Sequence, residues 1–230
     1  MMLIAGTVSL STVDYPKKTA YTIFTSGCNF RCGYCHNPEF VVSTLTPLDP
    51  AAVIRDIQSR KRLLDAIVVT GGEPTIQYDL PNFLTELRKI GLPIKLDTNG
   101  TRPDVLAQLY QTQSIDYVAM DLKSDLAQYP TITNTRVQIH DIKQSINLIM
   151  QSDIPYEFRT TIVPGHIAPR ELMEILKLIR GAKKYILQQF NPNKCLDNLY
   201  QDMVPYTMRM VEELATLAVL YVDQVEIRNI

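Results

Sequence analysis

Residues 27–38 read GCNFRCGYCHNP, a polar loop that contains three of the four cysteines of the chain. Three residues separate Cys28 from Cys32, and two separate Cys32 from Cys35. The loop directly follows residues 21–26, an apolar run with the length of a buried strand. Three soft thiol ligands at this short spacing favour either zinc or an iron–sulfur cluster.

The ligand count leaves three interpretations of this loop. A structural zinc site usually takes four ligands in paired spacing, and only His36 or the distant Cys195 is available as the fourth. A four-iron cluster held by three cysteines instead keeps one iron open, and an open metal position can bind a substrate. Three buried structural thiols are the third interpretation, but such thiols would not need to share one polar loop.

The rest of the chain alternates apolar runs of strand length with segments of helical period, which favours a parallel sheet joined by crossover helices. The predicted strands are residues 21–26, 66–70, 94–97, 117–122, 156–163 and 185–190, with a short terminal strand at 225–228. The predicted helices are residues 50–64, 80–90, 103–111, 139–150, 170–180 and 206–221. An open doubly wound sheet and a barrel both fit this alternation.

Glycine and polar residues recur where the predicted strands end. They are Gly27, Cys28, residues 71–73, residues 97–99, Asp121, Lys123, Gln188 and Gln189. In parallel α/β folds these ends share one rim, and the loops there form the active site. Because six units are too few for a closed eightfold barrel, we predict an α/β fold: a partial (β/α)6 barrel of the TIM type, laterally open, in one domain over residues 1–230.

Composition and charge exclude some classes of partner. The 230 residues include 23 Lys and Arg against 24 Asp and Glu, and no basic stripe is present, so we expect no nucleic-acid partner. No apolar run approaches the roughly 20 residues that cross a bilayer, and the first residues lack the features of a signal peptide. Clustered cysteines do not resemble a secreted disulfide framework. We therefore expect no membrane partner and a cytoplasmic location.

The cysteine spacing, with the aromatic Tyr34 before the last cysteine, resembles the hallmark of the radical S-adenosylmethionine (radical SAM) superfamily. Within it, the chain is similar to activating proteins of glycyl radical enzymes, above all those of anaerobic ribonucleoside-triphosphate reductase and of pyruvate formate-lyase. The similar stretches are TVDYP at 12–16, CHNPE at 35–39, GGEP at 71–74, LDTNG at 96–100 and MDLK at 120–123. The resemblance covers essentially the whole chain and implies a partial barrel with the cluster loop after its first strand.

The resemblance implies one 4Fe–4S cluster held by Cys28, Cys32 and Cys35, with S-adenosylmethionine (SAM) bound through its amino and carboxylate groups at the open iron. An electron from the reduced cluster then splits SAM into methionine and a 5′-deoxyadenosyl radical. In such an enzyme the cofactors supply the difficult chemistry, while the protein orients the reactive carbon and excludes water and oxygen.

Two groups of cofactor-binding residues are implied by the same resemblance. Tyr34 and His36 would lie beside the adenine of SAM. Gly71 and Gly72 would let the backbone approach the methionine ammonium, which Glu73 would cap. Read without the resemblance, the two glycines form an ordinary turn before a proline.

Four further residues on the rim have implied roles around the SAM carboxylate. Asp97, Thr98 and Asp121 would form a monovalent cation site, since hard oxygen ligands suit such an ion. Lys123 would neutralise the carboxylate; alternatively it is a solvated lysine at a strand end. Arg159 either joins the site or pairs with a barrel carboxylate for structure alone.

Other polar residues are assigned no role. His140 and His166 are predicted to lie on the surface, and Cys195 is a lone thiol without an array for a second cluster. Pyruvate formate-lyase activators have a histidine at the end of the sixth strand, whereas this chain reads LQQF at 187–190. That departure leaves the adenine or ribose contact at this position unassigned.

The leading functional hypothesis is an activase that removes a hydrogen atom from a glycine of a partner enzyme, with anaerobic ribonucleoside-triphosphate reductase as the expected partner. By analogy with the family, flavodoxin or ferredoxin would donate the electron. A radical SAM enzyme for a small molecule, such as a 7-carboxy-7-deazaguanine synthase, is the alternative within the superfamily. A non-catalytic zinc module built on the cysteine loop is the alternative from another class.

Overall fold

A computed structural model describes residues 2–228 of the chain and contains one eight-stranded sheet whose strands follow the order of the sequence. The strands are β1 (Ile4–Tyr15), β2 (Lys18–Thr25), β3 (Ala66–Gly71), β4 (Ile94–Thr98), β5 (Tyr117–Asp121), β6 (Tyr156–Ile162), β7 (Tyr185–Gln189) and β8 (Val225–Arg228). Strands β2 to β8 run parallel, and β1 pairs antiparallel with β2. Within residues 2–228, β1 and β8 do not pair, so the barrel is open as predicted.

Eight α-helices accompany these strands in the described part of the chain. They are α1 (Pro38–Val41), α2 (Pro50–Arg60), α3 (Leu80–Arg88), α4 (Pro103–Gln111), α5 (Tyr129–Thr133), α6 (Ile139–Gln151), α7 (Pro169–Leu178) and α8 (Met208–Ala218). Helix α2 shows why such segments begin where they do. The Asp49 carboxylate accepts hydrogen bonds from the N–H groups of Ala51 and Ala52, and Pro50 occupies the first turn, where no N–H is needed. None of these helices is both long and apolar enough to span a bilayer.

The main hydrophobic core is one cluster of buried side chains, which come from strands and helices between Met2 and Val222 in the sequence. Central strands contribute fully buried side chains such as Leu96 and Val118, and α6 contributes Ile142 and Ile146 from one face. Strands covered on a face by crossover helices carry continuous apolar runs for this reason. The prediction of one domain over residues 1–230 also includes residues 1, 229 and 230, which lie outside the described part.

The structure corrects the predicted set of elements at the N-terminus. Strand β1 was not predicted, because its sequence IAGTVSLSTVDY is rich in Ser and Thr and does not alternate cleanly between apolar and polar residues. It is an edge strand whose pairing with β2 contains register shifts. Because of these shifts, alternate residues do not stay on the same face of the sheet along the whole strand. The short helices α1 and α5 were also missed, since four or five residues are too few to show a helical period.

The parallel register brings the carboxyl ends of the strands to one rim. Thr25 at the end of β2 is level with Gly71 of β3, and Asp121 at the end of β5 is level with Arg159 of β6. Ile162 of β6 is likewise level with Gln189 of β7. The loops that carry the predicted site residues therefore converge on one mouth, as parallel α/β folds require.

Candidate active site

A cavity of about 670 Å³ lies at this rim, within the size range of small-molecule and cofactor sites. The thirteen site residues expected from the sequence all line it: Cys28, Cys32, Tyr34, Cys35, His36, Gly71, Gly72, Glu73, Asp97, Thr98, Asp121, Lys123 and Arg159. They come from five different segments of the chain. The structure thus brings the predicted residues together, although it does not test the individual role of each.

The cysteine loop between β2 and α1 is held in place by its own backbone and by α5. The guanidinium of Arg31 donates to the carbonyl oxygens of Cys28 and Phe30, and the N–H of Arg31 donates to the Thr133 carbonyl at 2.8 Å. The N–H of Cys35 donates to the Cys32 carbonyl at 3.0 Å, which closes a turn between these two residues. The loop therefore keeps its three thiols on one wall of the cavity.

The thiols are free; Cys32 is buried and Cys28 and Cys35 are half-buried, and this burial changes their acidity. Burial raises the pKa of Cys28 to about 12 and that of Cys32 to about 11, and it also raises the pKa of Cys35. The three thiols of the metal-free loop are therefore protonated at physiological pH. Metal binding to these residues requires thiolates, so it would release protons.

The donor set of the cysteine loop fits an iron–sulfur cluster. Within residues 2–228, no three His, Cys, Asp or Glu side chains are grouped so that they could hold one metal ion. Cys28, Cys32 and Cys35 nevertheless share one wall of the same cavity. Three separated thiols can hold a larger inorganic group such as a cluster, and Cys thiolates are the usual ligands of that group.

Gly71 and Gly72 let the end of β3 lie directly on the backbone of β2 and the cysteine loop. A Cβ on Gly71, which has a φ of +113°, would collide with the backbone of Thr25. A Cβ on Gly72 would collide with the carbonyl of Gly27, which also accepts a hydrogen bond from the Glu73 N–H at 2.9 Å. Both glycines are thus required by protein packing, in addition to any approach of a ligand.

Glu73 is almost fully buried, with 1% of its surface exposed. One carboxylate oxygen accepts hydrogen bonds from the N–H and hydroxyl of Thr75 and from the hydroxyl of Thr98, and the other accepts from the Asn99 N–H. Burial raises the pKa of this carboxyl, and the four donors oppose that effect. A carboxylate offers roughly four acceptor sites. In this arrangement Glu73 fixes the loops after β3 and β4, and its contact to a SAM ammonium stays a prediction.

A chain of ion pairs joins β4, β6 and the end of β5 beside the cavity, and we call its five members the charge ladder. Its ion-pair distances are 2.6 Å from Lys95 to Asp97, 3.0 Å from Asp97 to Arg159, 2.7 Å from Arg159 to Asp121 and 3.0 Å from Asp121 to Lys123. Burial alone would raise the pKa of Asp121, but the Arg159 and Lys123 cations outweigh it and hold that pKa well below its usual value. Arg159 therefore bridges two barrel carboxylates and also lines the cavity, so its role toward SAM stays a prediction.

The charge ladder occupies the carboxylates of the predicted cation site with basic side chains. Asp97 and Asp121 each pair with basic side chains, and the Thr98 hydroxyl donates to Glu73. With two carboxylates and three cations, the ladder has no excess negative charge to attract a further positive ion. A monovalent cation would have to compete with Arg159 for both carboxylates, and its presence stays a prediction.

Lys95 and Tyr200 are two residues of this region that the sequence reasoning missed. Lys95 is 1% exposed and lies two residues before Asp97 on the same face of β4. A lysine inside the apolar run IKL was the signal that could have revealed it, because a buried lysine needs a partner. Tyr200 comes from a distant loop and gave no local signal.

Two sequence expectations about histidines have different outcomes. His140 is exposed on α6, as predicted. His166, also predicted to lie on the surface, is instead half-buried, and its Nε2 lies 2.8 Å from the Tyr200 hydroxyl. The difference arises because residues after β7 fold back over the 163–167 loop, a contact that no local pattern shows.

The comparison with known proteins decides the family. A family model described as the radical SAM superfamily matches residues 22–179 of the chain. This chain belongs to the radical SAM superfamily. The predicted resemblance and the predicted enzyme class are confirmed by this match together with the relatives described below. As in other radical SAM proteins, the family implies a 4Fe–4S cluster and SAM, and Cys28, Cys32 and Cys35 are the residues that would hold the cluster.

Two curated relatives and one solved structure show which radical SAM proteins this chain is similar to. A Methanocaldococcus jannaschii protein provisionally named a glycyl-radical enzyme activating enzyme is 36% identical over 99% of this chain and 96% of its own length. The pyruvate formate-lyase-activating enzyme of Staphylococcus aureus is 28% identical over 93% of this chain and 84% of its own. Streptococcus suis SuiB shares the fold, with a TM-score of 0.68 at 13% identity over 90% of this chain and 48% of that one.

Proposed function

We propose that this radical SAM enzyme is an activase that generates a glycyl radical on a partner protein. The observation that carries the proposal is the 36% identity with a glycyl-radical enzyme activating enzyme over nearly the full length of both chains. The residues of the cavity are consistent with it. We further propose anaerobic ribonucleoside-triphosphate reductase as the partner and flavodoxin or ferredoxin as the electron donor, on the motif resemblance described above.

The mouth of the cavity supports a peptide substrate. Beyond the cysteine wall, its lining includes the carboxamides of Gln188, Asn191 and Asn193 and the hydroxyl of Thr161. Carboxamides both donate and accept hydrogen bonds, as the peptide backbone does. Side chains of this kind suit a glycine-containing loop of a protein, whose recognisable groups are its backbone N–H and C=O.

Each part of the site has a defined task in this proposal. Cys28, Cys32 and Cys35 would hold the cluster, which would supply the electron for reductive cleavage of SAM to methionine and a 5′-deoxyadenosyl radical. That radical would take a hydrogen atom from the glycine of the partner. Lys123 offers its ammonium to the SAM carboxylate from the end of the charge ladder.

The proposal is tested by anaerobic reconstitution with iron and sulfide, followed by mixing with reductant, SAM and a candidate partner. We expect a glycyl radical signal in electron paramagnetic resonance spectra and one 5′-deoxyadenosine per radical, and no signal with the Cys32→Ala variant. Parallel reactions with anaerobic ribonucleotide reductase and pyruvate formate-lyase distinguish the partners. If 5′-deoxyadenosine forms but neither partner gains a radical, the activase proposal fails and a small-molecule substrate takes its place.

The predicted monovalent cation is tested in the same assay. Potassium chloride is replaced by choline chloride at constant ionic strength, and 5′-deoxyadenosine is measured. A loss of product that potassium restores supports a bound cation. Unchanged product assigns the neutralisation of Asp97 and Asp121 to Arg159 and its ladder partners.

We also propose that the enzyme works in the reducing cytoplasm. Its three loop thiols are free. Thiols of this kind persist in reducing compartments, whereas oxidising compartments convert them to disulfides.

A further inference from the structure

Residues 194–203, which we call the cover segment, follow the cavity-lining residues 191–193 after β7 and lie across the outer side of the cysteine loop. The N–H of Asp197 donates to the Gly33 carbonyl at 2.9 Å, so the cover segment bonds directly to the loop between two cysteines. The ammonium of Lys194 pairs with Glu39 of α1 at 2.7 Å. These contacts join positions more than 150 residues apart in sequence.

Tyr200 makes the closest contact between the cover segment and the cysteine loop. Its ring lies so near Gly33 that a Cβ at that position would collide with the Cε2 atom of the ring. The ring centroid is 6.1 Å from that of Tyr34 and 6.4 Å from that of Phe190. Together with the hydrogen bond between its hydroxyl and His166, these contacts fix the ring from several sides.

The position of Tyr200 separates the cysteine loop from solvent. Tyr200 does not line the 670 Å³ cavity; it lines a smaller cleft of about 330 Å³ on the other side of Gly33, together with Arg31 and Asp197. Gly33 lies between Cys32 and Cys35. The Tyr200 ring therefore stands between two cluster ligands and the outer cleft.

Solvent access is a property that proteins use to control iron–sulfur clusters. The reduction potential of a cluster depends on its exposure to solvent, and the shell around a metal site governs that exposure. The catalytic scheme above uses neither Tyr200 nor the cover segment, so their close fit to the cysteine loop has another purpose.

We propose that Tyr200 is a positioning residue that holds the cover segment on the cysteine loop and limits the access of water and dioxygen to the cluster bound there. The cavity side of the cluster must stay open for SAM and the partner. The outer side has no such requirement, and an aromatic ring can close it.

The test compares Tyr200→Ala with Tyr200→Phe, which keeps the ring, and with Leu199→Ala, a matched control whose side chain is 78% exposed. Each variant is loaded with iron and sulfide anaerobically and then exposed to air-saturated buffer, while the cluster absorbance is followed. We expect cluster loss to be about tenfold faster in Tyr200→Ala, the lower end of the effects of outer-shell changes on metal sites. Tyr200→Phe and Leu199→Ala should match the wild type.

A second readout is the midpoint potential of the cluster, which we expect to shift in Tyr200→Ala and to stay unchanged in the two other variants. Wild-type rates of cluster loss in a fully loaded Tyr200→Ala protein would overturn the proposal. If Tyr200→Ala does not take up iron and sulfide, Tyr200→Leu replaces it in the assay, since this variant keeps an apolar side chain but not the ring. A wild-type rate of cluster loss in Tyr200→Leu would equally overturn the proposal. None of these measurements uses a glycyl radical partner, so their outcome is independent of the activase test.

Discussion

The carboxylate of Glu73 accepts a hydrogen bond from the backbone N–H of Asn99 at 2.6 Å, so one buried side chain joins the loop after β3 to the loop after β4. In Glu73→Gln, the NH2 group of the new side chain replaces a carboxylate oxygen that accepts hydrogen bonds. Because an NH2 group can only donate, at least one buried donor near it loses its acceptor. We expect the free energy of unfolding to fall by about 1–3 kcal/mol, the usual cost of an unsatisfied buried group. Urea denaturation of the metal-free protein measures this change.

The matched control is Glu86→Gln, which makes the same chemical change at an exposed carboxylate paired with Lys89 on α3. We expect an effect within about 0.5 kcal/mol there, as for most surface substitutions. Equal effects at the two positions would contradict the structural role of Glu73.

The charge ladder predicts a dependence of stability on acid. Arg159 and Lys123 hold the pKa of Asp121 below the usual aspartate value of 3.8, despite burial, and Arg159 and Lys95 do the same for Asp97. A carboxyl with a lowered folded-state pKa stabilises the fold fully above its unfolded-state pKa and loses that contribution as the pH falls through the folded-state value. We therefore expect the free energy of unfolding to decline as the pH falls below about 3.8.

Urea denaturation at a series of pH values tests this expectation. The variant Asp121→Asn removes one titrating group, so its stability should decline less steeply with acid than that of the wild type. An identical acid dependence in both proteins would show that the ladder carboxylates are not the groups responsible.

Gly72→Ala is predicted to disturb the cysteine loop. The new methyl group would collide with the carbonyl of Gly27, next to Cys28, and the loop backbone would have to move. Overpacking of this kind costs about 1–3 kcal/mol. We expect a lower melting temperature and less iron bound per chain after reconstitution, measured by calorimetry and by iron analysis.

Gly6→Ala provides the control for that experiment, since a Cβ at Gly6 would meet no atom within 4 Å. It should leave both the melting temperature and the iron content unchanged. Full iron loading in Gly72→Ala would show that the loop adapts to the added group.

Lys123→Gln distinguishes a SAM ligand from a structural lysine. The Lys123 ammonium lines the cavity and is fixed by Asp121, and this carboxylate raises its pKa despite the opposing effect of burial. If it also pairs with the SAM carboxylate, its loss should weaken SAM binding by about tenfold or more, given the strength of hydrogen bonds to charged groups. Anaerobic equilibrium dialysis of the cluster-loaded protein measures the affinity, with the exposed Lys89→Gln as control.

Much of this architecture is encoded in local sequence patterns. The seven parallel strands follow from apolar runs and the cysteine loop from its spacing, because each depends on neighbouring residues only. Strand β1 could not be predicted in the same way, since an irregular edge strand rich in Ser and Thr has no clear period. Its place in the sheet depends on its pairing with β2.

The candidate site likewise has one part that local sequence patterns predict and one part that they do not. Its lining residues could be predicted because strand ends mark the rim of a parallel sheet. The partners of those residues could not. Arg159 bridges Asp97 and Asp121 across three strands, and Tyr200 reaches Gly33 from a loop far along the chain. Pairings of this kind depend on tertiary distances, and only a structure provides them.

The strictly sequential order of the sheet has a consequence for biosynthesis. Each strand from β2 onward is added beside the strand made just before it, so a chain that folds as it leaves the ribosome extends one growing edge. The cysteine loop is translated long before Asp197, whose N–H donates to the Gly33 carbonyl. The loop therefore gains this last backbone contact only when most of the sheet has already been made.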